Sequence, residues 1–151
     1  MTSWWSSLFS SNEATLMPVA EDANQEIAGL DFKTAIEVHL KWKVRLMDVI
    51  DGTSTEAINP NIVSHDDQCV LGKWLHGEGE RQFKEQPEFQ KVVTAHSYFH
   101  RCAGHTLALA LDGKNQEAAT EVTSGEFAKA SLDVSRHLMH LWRDLGIEKK
   151  A

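Results

Sequence analysis

The stretch PEFQKVVTAHSYFHRCAGHTLALALDG, residues 87–113, decides the fold. Pro87 suits the first turn of a helix, where a backbone N–H has no intrahelical acceptor to reach, and Gly113 suits the stop. Projected at the helical angle from His96, the residues Phe89, Val92, Val93, Phe99, His100, Ala103, Leu107, Ala110 and Leu111 fall within about 60° of one line. The spacing predicts a helix to about Asp112, with two histidines set into an apolar stripe.

Working outward, a second long helix is predicted from Asp31, an N-cap residue, to Gly52, a C-terminal stop. On it Phe32, Ala35, Ile36, Trp42, Leu46 and Ile50 share the side of His39, which therefore points into the core. A last helix is predicted from about Asn115 to Leu145, stopped by Gly146, with Phe127, Ala130, Val134, Leu138, Leu141 and Leu145 along one side. Residues 53–68, with Pro60 and a His-Asp-Asp run, predict a loop or broken helix, and Cys69 opens a short helix closed by Gly77. Gly79 to Gln86 reads as a connector, and nothing reads as a strand. The expected class is all-α: a four-helix-type bundle with a short extra helix carrying the cysteine. Residues 1–30, with five serines, Pro18 and a Trp4-Trp5-Leu8-Phe9 cluster, read as a partly ordered tail, and 147–151 as a second tail.

Acidic residues outnumber basic ones, 22 to 15, and no run of lysines and arginines is placed to track a phosphate backbone, so nucleic acid is not an expected partner. No stretch approaches the roughly 20 apolar residues of a membrane span, and no secretory signal opens the chain, so a cytoplasmic address is expected. The two cysteines, Cys69 and Cys102, do not suggest a disulfide framework or a CxxC site.

Eight histidines are many for this length. His96 and His100, four apart on a helix, can reach one metal ion from the same face. The pair alone is a weak signal, because scattered histidines meet that spacing often. Set in an apolar stripe, the two rings need hydrogen-bond partners or a cation, and spacing leaves both open. Cys69, at the start of a short helix, can have a lowered thiol pKa, because backbone N–H groups there favour the thiolate that binds metal, although a small buried apolar residue is otherwise the commoner fate of a cysteine. Cys102 and His105 point away from the His96 direction, whereas His137 lies near the apolar stripe of the last helix as a possible outer hydrogen-bond partner of the site or a core histidine. His65 and His76 fall in loop-like sequence and are expected at the surface.

The run Cys69-Val70-Leu71-Gly72-Lys73-Trp74 resembles the Cys-x-Leu-Gly-Lys-Trp signature of the chemoreceptor zinc-binding (CZB) family. His39, followed by Trp42, stands 30 residues before that cysteine, and the His96/His100 pair stands 27 and 31 after it, a layout similar to the family's over about residues 31–145. The resemblance implies a CZB-like bundle over residues 31–146 that binds one Zn2+ per chain through His39, Cys69, His96 and His100. It implies packing roles for Trp42, Leu71 and Trp74, and a close backbone approach at Gly72. Four protein ligands close the tetrahedron and leave no position for a water nucleophile, so no enzyme is expected. The resemblance further implies a sensory domain in bacterial signalling, of the chemotaxis or cyclic-di-GMP type, acting as a homodimer or through a chemoreceptor, a cyclase or another signalling protein. Zinc level, oxidation of Cys69 and a structural scaffold remain three readings of its role. The Trp4-Trp5-Leu8-Phe9 cluster is a candidate contact for a partner.

Overall fold

The computed structural model describes residues 26–150; the Trp4-Trp5-Leu8-Phe9 cluster lies outside them. Two two-residue strands, β1 (Glu26–Ile27) and β2 (Leu30–Asp31), pair antiparallel and lead into α1 (Phe32–Asp51). Short helices α2 (Pro60–Val63), α3 (Val70–Leu75) and α4 (Glu78–Phe83) follow, then α5 (Pro87–Leu111), α6 (Asn115–Thr123) and α7 (Glu126–Lys150). Helix α5 packs along α7 and against α1, while α6 touches α1, α5 and α7, so these four make the bundle and α2 lies against α5. The all-α class holds.

Local chemistry sets the ends of α1. The Asp31 carboxylate accepts the Thr34 N–H at 3.1 Å. Gly52, at φ 78°, takes the left-handed turn that lets its N–H reach the last carbonyls. Between them the buried face is the apolar set read from the sequence, His39 included. The core joins this face to Phe89, Phe99 and Leu107 of α5 and to Phe127, Val134, Leu138 and Leu141 of α7, all buried. Each such side chain contributes about 1.5–3 kcal/mol by leaving water.

Five expectations are corrected. The last helix is two helices, broken at Ser124–Gly125, where a Cβ on Gly125 would lie 2.8 Å from the Glu121 Cα. Gly146 does not stop α7, which runs on to Lys150. The connector after Gly77 contains α4, whose Gly79 is buried because the Trp74 ring sits 2.7 Å from where a Cβ would be. Residues 26–31 form a hairpin where no strand was expected, and its Ile27 and Leu30 enter the core. Ala28 and Gly29 both take positive φ at its turn, as a two-residue hairpin loop requires. Leu111 also departs from the predicted stripe, 57% exposed at the end of α5.

Candidate metal centre

Helix α1 supplies His39, α5 supplies His96 and His100 one turn apart, and the N-cap of α3 supplies Cys69. The four converge: one ligand atom from each lies within 4.8 Å of every other. His96 Nε2 is 3.1 Å from His39 Nε2 and 3.0 Å from His100 Nε2. Cys69 Sγ lies 3.3 Å from His96 Nε2, 3.6 Å from His100 Nε2 and 3.9 Å from His39 Nε2.

Hydrogen bonds on the far side of two rings fix what faces inward. His39 Nδ1 is 2.7 Å from the Ala35 carbonyl and His100 Nδ1 is 2.8 Å from the Val63 carbonyl. A carbonyl only accepts, so both rings donate Nδ1–H, and in a neutral imidazole Nε2 is then a bare lone pair. Both lone pairs face His96 Nε2. If His96 carries its proton on Nε2, its buried Nδ1 is an acceptor without a donor; if on Nδ1, that N–H is a buried donor without an acceptor and three lone pairs confront one another. Either way a buried polar atom is orphaned, and His96 Nδ1 indeed has no partner among the described residues.

A cation taking up three nitrogen lone pairs and the sulfur removes most of this cost. Tetrahedral zinc, with Zn–N about 2.0–2.1 Å and Zn–S about 2.3 Å, sets neighbouring nitrogens about 3.3 Å apart and nitrogen and sulfur about 3.6 Å apart. The nitrogen–sulfur separations bracket their edge, and the two nitrogen–nitrogen separations fall about 0.2–0.3 Å short of theirs, a gap that small ring shifts close, so the donor set and its spacing fit the ion.

The electrostatics point the same way. Burial drives the His39 pKa down to about 4, with the Ala35 hydrogen bond opposing and His100 assisting. Burial, with the neighbouring histidine charges, takes His96 to about 2, and burial also lowers His100. All three rings are thus neutral ligands near pH 7. Cys69 corrects the expectation of a lowered thiol. Its Sγ accepts the Gly72 N–H at 3.3 Å, and backbone N–H groups do favour the thiolate, but burial outweighs them and pushes the thiol up. Without a cation, then, the sulfur keeps its proton.

A pH prediction follows for the metal-free protein. Unfolded histidines bind protons below about 6.5, whereas these buried rings resist them, so the unfolded chain binds more protons as pH falls. Stability should be intact above pH 6.5 and decline as pH drops from there toward 4, by up to about 1.4 kcal/mol per pH unit for each histidine. Urea unfolding across that range in chelator checks it, and added zinc should raise stability while steepening the fall with pH, because binding also displaces the Cys69 proton. A flat profile would count against it.

Packing holds the cysteine in place. Trp74 Nε1 donates to the Ala28 carbonyl at 2.9 Å, its ring meets Phe32 edge-on at 5.5 Å, and Leu71 is buried beside it. A Cβ on Gly72 would fall 1.6 Å from the Asp66 carbonyl oxygen, so backbone passes where any other residue needs its side chain. Trp42 is buried one turn from His39, with the Arg45 guanidinium over its ring at 3.8 Å.

His137 is not at this centre. Its Nδ1 lies 2.6 Å from Glu88 Oε2, at the start of α5, with His140 beside it. His65, His76 and His105 are exposed, and Cys102 is buried outside the cluster. Sequence reasoning missed the Val63 carbonyl, which only the tertiary fold brings to His100. It also passed over the Ala35 carbonyl, although that group lies one turn before His39 in any helix.

Residues 39–107 match the family model described as chemoreceptor zinc-binding domain. No curated protein and no solved structure matches the chain. The match begins at His39 and takes in Cys69, His96 and His100. Among the described residues no helix is long and apolar enough to cross a membrane.

Proposed function

Since the chain carries a chemoreceptor zinc-binding domain, we propose that His39, Cys69, His96 and His100 hold one Zn2+ and that zinc occupancy is the input of a regulatory module. The family is a sensory and not a catalytic one. The observation that carries the reading is the set of inward-facing lone pairs, fixed by two carbonyls on the far sides of the rings. Bound zinc supplies a charge that holds the Cys69 thiolate and four bonds that tie α1, α3 and α5 together. The protein's part is to present neutral imidazoles and to seat Cys69 through Gly72 and Trp74. Because the ligands come from three helices, emptying the site loosens the packing of α1 on α5. We place the domain in the bacterial cytoplasm, reporting to a homodimer partner or to a chemoreceptor or cyclase.

Metal content and affinity of the wild type and of alanine variants at each ligand test this, together with oligomeric state with and without zinc. One equivalent is expected in the wild type and strong loss in each variant. Zinc retained alike in His39→Ala and Cys69→Ala would sink the assignment.

One observation favours a second reading of the same site. Cys69 is only partly buried, and a shallow cleft lined by Leu30, Val38 and Val70 opens beside it and His39. An oxidant thus has access to a metal-held thiolate, and a sulfenic acid there would release zinc. Rapid zinc release by stoichiometric peroxide or hypochlorite, with a sulfenic acid trapped at Cys69 and zinc binding restored by a thiol reductant, is expected only under this reading and separates oxidant sensing from zinc sensing.

A further inference from the structure

The bundle brings a second set of metal donors together away from the first. Glu88 stands in the first turn of α5, and His137 and His140, one turn apart, stand on α7. Ligand atoms of the three lie within 4.8 Å of one another. We propose that Glu88, His137 and His140 form a second binding site, for a divalent transition-metal ion.

Convergence is the first argument. His137 Nδ1 hydrogen-bonds Glu88 Oε2 at 2.6 Å, and His140 Nδ1 lies 3.9 Å from the same oxygen. A simple ion pair needs one histidine; the second ring brings a third donor into the range of one ion. Burial is the second. The Glu88 side chain is 14% exposed and therefore fixed, while His137 at 24% and His140 at 41% leave room for water to complete the coordination. Donor chemistry is the third. Two imidazoles and a carboxylate without sulfur suit Zn2+, Cu2+ or Ni2+ and not calcium or magnesium. Lys91 Nζ, 3.7 Å from Glu88 Oε1, is the competing cation, but its side chain is 59% exposed and free to swing into solvent.

The two histidines lie beyond residues 39–107, so the family match does not bring this site with it. Its position gives it a consequence. Glu88 is eight residues before His96 on one helix, roughly 12 Å along the axis, so an ion here pins to α7 the same helix that carries half of the first centre.

Cobalt(II) titration of the full-length chain tests the proposal, because thiolate-bound cobalt has a near-ultraviolet charge-transfer band and an imidazole–carboxylate site has none. Two equivalents are expected in the wild type, the first with that band and the second, weaker, without it. His137→Ala/His140→Ala should bind one equivalent with the band intact. Glu88→Gln, which keeps the side chain's size and a hydrogen bond to His137, should also lose the second equivalent should the double variant fail to fold. Cys69→Ser should lose the band and keep the second equivalent, so failure of one site is read separately from failure of the other. A single equivalent carrying the thiolate band in the wild type, or two in folded Glu88→Gln, would overturn the proposal and leave the cluster a carboxylate–histidine ion pair.

Discussion

His96→Leu is expected to make the metal-free protein more stable, by about 1–3 kcal/mol, while removing its stabilisation by zinc. The ring is fully buried, its Nδ1 has no partner among the described residues, and its Nε2 faces two fixed lone pairs. A leucine of similar volume keeps the packing and deletes the unpaired polar group, whose burial costs about 1–3 kcal/mol. The wild type, by contrast, should gain about 4 kcal/mol when free zinc is a thousandfold above its dissociation constant. The unfolding curves should therefore cross: variant above wild type in chelator, below it in zinc. A variant less stable than wild type in both conditions would show that the three-histidine arrangement does not need a cation.

The second large effect is steric. Gly72→Ala is expected to destabilise by about 3 kcal/mol, at the upper end of what overpacking costs, and to weaken zinc binding about 100-fold. The added Cβ would stand 1.6 Å from the Asp66 oxygen, 2.7 Å from its carbonyl carbon and 3.1 Å from the Asp67 Cα. All three are backbone, so no flexible side-chain end can give way. The turn before Cys69 must shift, and the thiol that accepts the Gly72 N–H shifts with it. Gly146→Ala is the control: it lies inside α7 with nothing within 4 Å of its Cβ position, so it should stabilise by about 1 kcal/mol. Denaturant unfolding and zinc affinity of both variants decide the matter, and equal behaviour would remove the steric argument.

Why some of this was legible in the sequence and some not comes down to what a helical projection contains. Angle around an axis is periodic in sequence, so the buried faces of α1 and α5 were readable, with His39, His96 and His100 on them. Height along the bundle is not. His137 had a suitable angle, yet it sits level with Glu88, turns away from His96. Glycine misled in both directions. Gly146 read as a stop because a helix often ends there, but α7 absorbs it, as a single glycine costs only about 1 kcal/mol. Gly79 read as a connector because its place against the Trp74 ring is a tertiary fact. The Ser124–Gly125 break was passed over because the apolar period resumes almost in phase at Phe127. The thiol of Cys69 was misjudged because its N-terminal helix position is local and its burial is not.

The hydrogen bond from Trp74 to the Ala28 carbonyl bears on how a change at the centre leaves it. Cys69 caps the six-residue helix α3, Trp74 lies near its far end, and Ala28 is the apex of the hairpin through which the chain enters the bundle. Sulfur, helix, indole and hairpin thus form a short lever with few soft joints. Its outer arm is the backbone at residue 26, so under the proposed zinc-responsive reading a tilt of α3 would be felt at the hairpin as well as at the metal ligands.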